Sequence, residues 1–276
     1  TPDVAMKPAA LMTRPPLESI YQATEAMVPA LRERARQTES DRRVPAATTA
    51  QARAAGLFRL MQPARFGGYE YGFAPFIEIN RITGRGCGSS SWCLSIAIVH
   101  QWLLALFPEQ AQVDVWGENP DAIMAASYAP AGKLRTVDGG WMASGRWSWM
   151  SNIDNVEWAV LGCMAPASDG GKPAAAFILV PRAHYRILDD WDTVGLAGTG
   201  SKTIEIDGEA FVPSHRYLSF ADALGGTAPG ARINTNPMYR LPFLSCVPLC
   251  VATPAIGIVE GALGTFIDWK IGRAHV

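Results

Sequence analysis

PDAIMAASYAPAGKLRTVDGGWMASGRWSWMS, residues 120–151, is where the periodicity of the chain changes. After Pro120 the apolar spacing drops from the helical repeat to short runs of β-formers, 123–128 and 141–149, separated by Asp138-Gly139-Gly140. The same grammar continues through 158–164, 175–180, 185–188, 203–206 and 210–212. Asp169-Gly170-Gly171 and Asp207-Gly208 mark turns between them. This middle part predicts an antiparallel, β-barrel-like domain over 121–236.

Upstream, Leu17, Ile20, Tyr21, Thr24, Met27, Val28 and Leu31 share one helical face over 17–35, and a polar break is expected at 38–43. A second helix is expected over 48–55, stopped by Gly56. A Gly- and aromatic-rich loop over 63–72 comes before a helix over 73–83. Gly84 to Gly88 interrupt that pattern, and Ser89, Ser90 and Ser91 are expected to cap the apolar helix that runs to Phe107. Pro108 ends it and opens a short helix over 109–116. The apolar helix contains Ser95, His100, Gln101 and Trp102 and is short for a bilayer, so it reads as buried rather than as a membrane span. From Pro242 a helical pattern returns, with Ile256, Val259, Ala262, Leu263 and Phe266 on one face. The order is an all-α domain (1–120), a β domain (121–236) and the start of a helical bundle (237–276).

The 276 residues are 49% hydrophobic and 18% charged, with 24 Lys plus Arg against 25 Asp plus Glu. A net charge of −1 offers no field for a phosphate backbone, so nucleic acid is not an expected partner. The five cysteines are odd in number and dispersed, which suits buried thiols in a reducing, cytoplasmic compartment. Nothing in Thr1 to Pro16 has the apolar core of a signal peptide; it reads as a lead-in. Cys246 and Cys250 lie one helical turn apart without other ligands, so no metal is expected.

Gly84-Arg85-Gly86-Cys87-Gly88 follows a helical pattern rather than a strand, which removes the dinucleotide-binding context. His100 stands in an apolar helix, where a satisfied core histidine and a pocket-facing proton carrier are both open readings. Ser127 and Ser151 end strands. The run Gly195-Leu196-Ala197-Gly198-Thr199-Gly200-Ser201 offers backbone N–H groups and two hydroxyls to an anionic or carbonyl-rich ligand, though strand connections use glycine as freely.

Eight segments in order carry a resemblance. They are Gln62-Pro63 with Gly67-Gly68-Tyr69-Glu70, Val99-His100-Gln101-Trp102, Leu104-Ala105-Leu106-Phe107 and Ser127-Tyr128-Ala129-Pro130. Gly145-Arg146-Trp147-Ser148-Trp149-Met150-Ser151, residues 194–201, Val212-Pro213-Ser214-His215-Arg216 and Thr227-Ala228-Pro229-Gly230 complete the set. Together they resemble the oxygenase components of two-component flavin-dependent monooxygenases, which have an acyl-CoA-dehydrogenase-like α+β fold. The match is nearer to the phenolic seco-steroid hydroxylase of bacterial steroid degradation than to p-hydroxyphenylacetate hydroxylase.

The resemblance implies reduced FMN, or FAD, delivered by a separate NAD(P)H:flavin reductase. Reaction with O2 through a C4a-hydroperoxyflavin then hydroxylates a small aromatic substrate, phenolic or polycyclic, in a homotetramer or dimer with no membrane partner. It also implies roles for residues. Ser151 and His100 are catalytic, Ser151 standing beside flavin N5; His100, Ser127, Trp102 and Tyr128 bind substrate. Trp149, Ser151, Thr199, Ser201, Arg240 and Arg273 bind the cofactor. Further helices carrying another histidine are expected after Val276. The chain departs from its nearest relatives at Asn152, Ile153, Asp154 and Asn155, where they have Gly, Cys, Asp and His, and at Ala197, where they have Arg. An acyl-CoA dehydrogenase is the rival enzyme, since Trp149-Met150-Ser151-Asn152 resembles its Trp-Ile-Thr-Asn. Ser127-Tyr128-Ala129-Pro130 replaces its Thr-Glu-Pro segment. A non-catalytic ligand binder is the third reading.

Overall fold

The computed structural model describes residues 14–167 and 171–274, with side chains to Ile271. The lead-in through Thr13, the Asp169-Gly170 turn and the Arg273 side chain lie outside the described residues. Five helices come first: α1 (Leu17–Ser40), α2 (Ala46–Ala54), α3 (Phe73–Gly84), α4 (Gly88–Leu104) and α5 (Glu109–Trp116). Seven strands follow: β1 (Met124–Val137), β2 (Gly140–Met150), β3 (Trp158–Ala165), β4 (Ala174–Pro181), β5 (Arg186–Leu188), β6 (Lys202–Pro213) and β7 (Tyr217–Ser219). Three helices close the described chain: α6 (Phe220–Gly225), α7 (Phe243–Cys246) and α8 (Leu249–Ala274).

Two local expectations are corrected. Helix α1 does not break at Thr38; it continues to Ser40, because the Thr38 hydroxyl donates to the Arg34 carbonyl (2.9 Å) and its side chain is buried. Nor do the serines cap α4, whose N-cap is Cys87. Ser91 lies inside the first turn, where its hydroxyl donates to the Asn80 carbonyl (3.0 Å) and accepts from Thr83 (2.9 Å), binding α4 to α3. Most of α4 is buried, and its buried Gln101 accepts from the Trp116 indole at 3.0 Å.

The sheet runs β5-β6-β2-β1-β3-β4-β7. It is mixed rather than antiparallel throughout, because β1 and β3 pair in parallel. Strand directions alternate from β1 to β4. After β2, however, the chain crosses to the free edge of β1, and two strands of like direction become neighbours. The runs at 203–206 and 210–212 form the single strand β6; Asp207-Gly208 falls at a register shift opposite Ala143 and Gly145, not at a turn between strands. At the centre lies Trp147, fully buried, with its indole N–H on the Gly162 carbonyl (2.7 Å). Glycine makes room for the ring: a Cβ on Gly132 would meet Trp147 at 2.2 Å.

Helix α8 packs by its small side. A Cβ on Gly257 would lie 2.2 Å from the Arg81 carbonyl oxygen, so α8 and α3 touch backbone to backbone, beside an Arg81–Glu260 ion pair (2.6 Å). The opposite face, with Ile256, Val259, Leu263 and Phe266, is 48% to 66% exposed. By length and composition Phe243–Ile271 is long and apolar enough to cross a membrane, the one such helix among the described residues.

Candidate active site

The end of β2 is unusual backbone. Trp149 (φ 62°) and Asn152 (φ 66°) both hold left-handed conformations, as does Leu196 (φ 57°) in the facing loop. A bulky residue at positive φ costs about 1–3 kcal/mol and persists only where its surroundings impose it. Here the surroundings are hydrogen bonds. The Asn152 N–H donates to the Thr199 carbonyl (2.9 Å), the Asn155 amide to the Val44 carbonyl (3.0 Å), and Lys202 pairs with Asp154 (3.0 Å). A Cβ on Gly198 would collide with Thr38 and Ser89, so the loop also lies tight against α1 and α4. Asn152, Asp154 and Asn155 thus clamp the end of β2 and the facing loop together.

Inside this clamp three hydroxyls form a chain. Ser151 Oγ lies 2.7 Å from Ser201 Oγ, Ser201 Oγ lies 2.6 Å from Thr199 Oγ1, and Thr199 Oγ1 donates to the Leu196 carbonyl (2.8 Å). The Trp92 indole N–H donates to Ser151 (3.2 Å). Trp92 was not singled out in the sequence; the available signal was an indole N–H in an apolar helix, which needs an acceptor. The three hydroxyls are buried, whereas Trp149, two residues before Ser151, is 73% exposed, and Leu196, whose carbonyl ends the hydroxyl chain, is 44% exposed. Flat apolar surface beside a polar hydroxyl edge is the donor and acceptor chemistry that an isoalloxazine ring requires, so these residues fit a flavin.

A second cluster stands eight residues along α4, about 12 Å by helical rise. His100 is 1% exposed; its Nδ1 lies 2.9 Å from the Met124 carbonyl and its Nε2 2.7 Å from the Tyr128 hydroxyl. A carbonyl only accepts, so Nδ1 carries the proton. Burial pushes the His100 pKa down to about 4, so Nε2 is bare and accepts the Tyr128 proton. Burial also holds Tyr128 well above the usual phenol value. The Tyr128 ring meets Phe177 and Phe243 edge-on, at 5.8 Å and 5.0 Å. The buried Ser127 hydroxyl makes no hydrogen bond among the described residues and is available to a ligand.

Other expected site residues stand apart. Trp102, two residues from His100 and therefore on the opposite side of α4, is fully buried against Phe73, with its N–H on the Met238 carbonyl (2.8 Å). It is a core residue. Arg240 lines a separate surface pocket with Thr227 and Arg232, apart from the residues of the hydroxyl chain.

The depressed His100 pKa has a consequence for stability. The neutral imidazole is favoured in the fold, so its contribution is complete above pH 6.5 and is lost as pH falls toward 4, by on the order of 3 kcal/mol. His100→Gln should flatten that part of a urea-denaturation pH profile relative to the parent; an unchanged slope would show that His100 titrates normally.

No protein-family model matches the chain. Over 272 residues it is 40% identical to the FADH2-dependent resorcinol hydroxylase, oxygenase component, of Rhizobium sp. strain MTP-10005, covering 98% of this chain and 66% of the relative. The 3-HSA hydroxylase of Rhodococcus sp. RHA1 superposes with a TM-score of 0.89 at 41% identity, over 94% of this chain and 66% of that one. For the HsaA monooxygenase of M. tuberculosis the TM-score is 0.88 at 37% identity, over 92% and 69%. The fold is acyl-CoA-dehydrogenase-like. The chain belongs to the family of oxygenase components of flavin-dependent monooxygenases. It spans 66% of the length of the resorcinol hydroxylase component and 60% of that of a pigment production hydroxylase of Rhodococcus erythropolis.

Proposed function

We propose that this chain forms part of the oxygenase of a two-component monooxygenase that hydroxylates a small phenolic substrate. Reduced flavin and O2 supply the transferred oxygen atom when bound. The buried hydroxyl chain Ser151–Ser201–Thr199, next in sequence to the exposed Trp149 and Leu196, is the observation that carries this reading. The name of the resorcinol hydroxylase supports reduced FAD over FMN and a phenol as substrate. Ser151 would hydrogen-bond the bound flavin, and Trp149 and Leu196 would offer it apolar surface that excludes water. Tyr128, held by His100, and the free Ser127 hydroxyl orient the phenol.

A separate NAD(P)H:flavin reductase delivers the flavin. The uncovered apolar face of α8 supports further helical packing or a homotetramer or dimer, and five buried free thiols support a cytoplasmic setting.

Mixing the full chain with NADH, a flavin reductase, FAD and resorcinol or another phenol under labelled O2 should put one labelled oxygen on the ring. Unlabelled substrate, with an acyl-CoA reducing a dye instead, would replace the hydroxylase by a dehydrogenase.

A further inference from the structure

Helix α4 is closed on nearly every side. From Ser90 to Leu104, only Trp92 and Ile96 are not buried. The closed sides have partners. Ser95 donates to the Cys250 carbonyl (2.7 Å) and Ser91 to the Asn80 carbonyl (3.0 Å), so one side faces α8 and α3. Gln101, on another side, accepts from Trp116 of α5 (3.0 Å). Trp92, Ile96 and His100 are spaced by four, so each stands about 40° around the helix and about 6 Å along it from the one before. Trp92 points to the Ser151 hydroxyl (3.2 Å) and His100 to the Tyr128 hydroxyl (2.7 Å). Ile96 therefore faces the space between Ser151 and Tyr128, midway along it, and is partly open there. The far side of Tyr128 is shut by the buried rings of Phe177 and Phe243.

We infer that Ile96 is a specificity-determining residue: its side chain is the wall of α4 that sets how wide a phenol fits between Ser151 and Tyr128. This rests on the flavin and phenol reading above. Isoleucine carries no polar atom, so it selects by size and not by hydrogen bonding. Its β-branch holds one strongly preferred rotamer on a helix, so the wall cannot swing aside as a longer unbranched chain could. The neighbouring faces of α4 are fixed to α3, α5 and α8, so the helix cannot retreat either. A substrate ring that reaches toward α4 therefore meets a rigid limit at Ile96.

The test compares a one-ring phenol, resorcinol, with a two-ring phenol, naphthol, on the full chain with FAD and a flavin reductase. In Ile96→Ala the ratio of kcat/KM for naphthol over resorcinol should rise roughly tenfold or more, the low end of what one methylene does in an apolar pocket. Ile96→Phe should lower the same ratio by a similar factor, and Ile96→Leu, equal in volume, should keep it within about threefold. The ratio of the two Kd values, read by anaerobic calorimetry with dithionite-reduced FAD present, should move in parallel without turnover. Ile96→Val should shift both ratios in the direction of Ile96→Ala and serves if that variant does not fold. A merely structural role would weaken both substrates alike. Ratios within about twofold of the parent in folded Ile96→Ala (or Ile96→Val) therefore overturn the assignment and leave the proposed function standing. A parent protein that neither binds nor hydroxylates either phenol overturns both.

Discussion

Ser151→Ala is expected to uncouple the enzyme: product formed per reduced flavin consumed falls roughly tenfold or more, and H2O2 release rises to match. The substitution removes the Ser151 hydroxyl from the ligand-facing end of the chain. It also takes away the acceptor of the half-buried Trp92 N–H, a loss of about 1 kcal/mol in stability. That loss lowers the amount of folded protein but not the ratio of product to peroxide, so the ratio is the quantity to measure, with Ser151→Thr as the hydroxyl-retaining control. Coupling equal to that of the parent would remove Ser151 from the chemistry and reduce it to a strand-end turn residue.

Trp147→Ala should be the most destabilising single change in the sheet, at about 3–5 kcal/mol by urea denaturation. A typical domain is stable by about 5–15 kcal/mol in total, so this is a large share of it. The ring is fully buried in a slot whose walls are Gly132, Gly145 and Cys163, and backbone walls cannot collapse to fill the space. The Gly162 carbonyl loses its donor as well. Trp147→Phe retains most of the volume and should cost only about 1–2 kcal/mol. A loss below about 1 kcal/mol for the alanine variant would mean that the sheet does not close around this ring. Because Ser151 follows at the end of the same strand, a loosened Trp147 should also blur the site.

Much of this was legible along the chain. Helices over 73–83 and 109–116 and most strands of the sheet follow from the apolar period and from Pro and Gly punctuation, since those signals act within a few residues. The eight ordered segments placed Ser151, Thr199 and Ser201 in one site, and the hydroxyl chain joins them. His100 and Tyr128 also meet, although the histidine is a buried, fully bonded partner of the tyrosine rather than an open proton carrier. Arg240 stands apart in a surface pocket, and Trp102 stands apart from His100 on the helix they share. A motif shows that a side chain is near a site in sequence, whereas a two-residue step on a helix turns it to the far side.

Periodicity and turn chemistry alone assign the order of helices and strands here, because both are local. Which strand lies beside which was settled only when β3 crossed to the free edge of β1, a choice made by long-range packing. The same holds for α8. Its apolar residues marked one face for burial, yet the small face with Gly257 is the one that packs, because two backbones approach most closely where neither carries a Cβ. The meeting of Ser151 with Ser201 and Thr199 likewise depends on a loop that α1 and α4 hold in place, far from Ser151 in sequence.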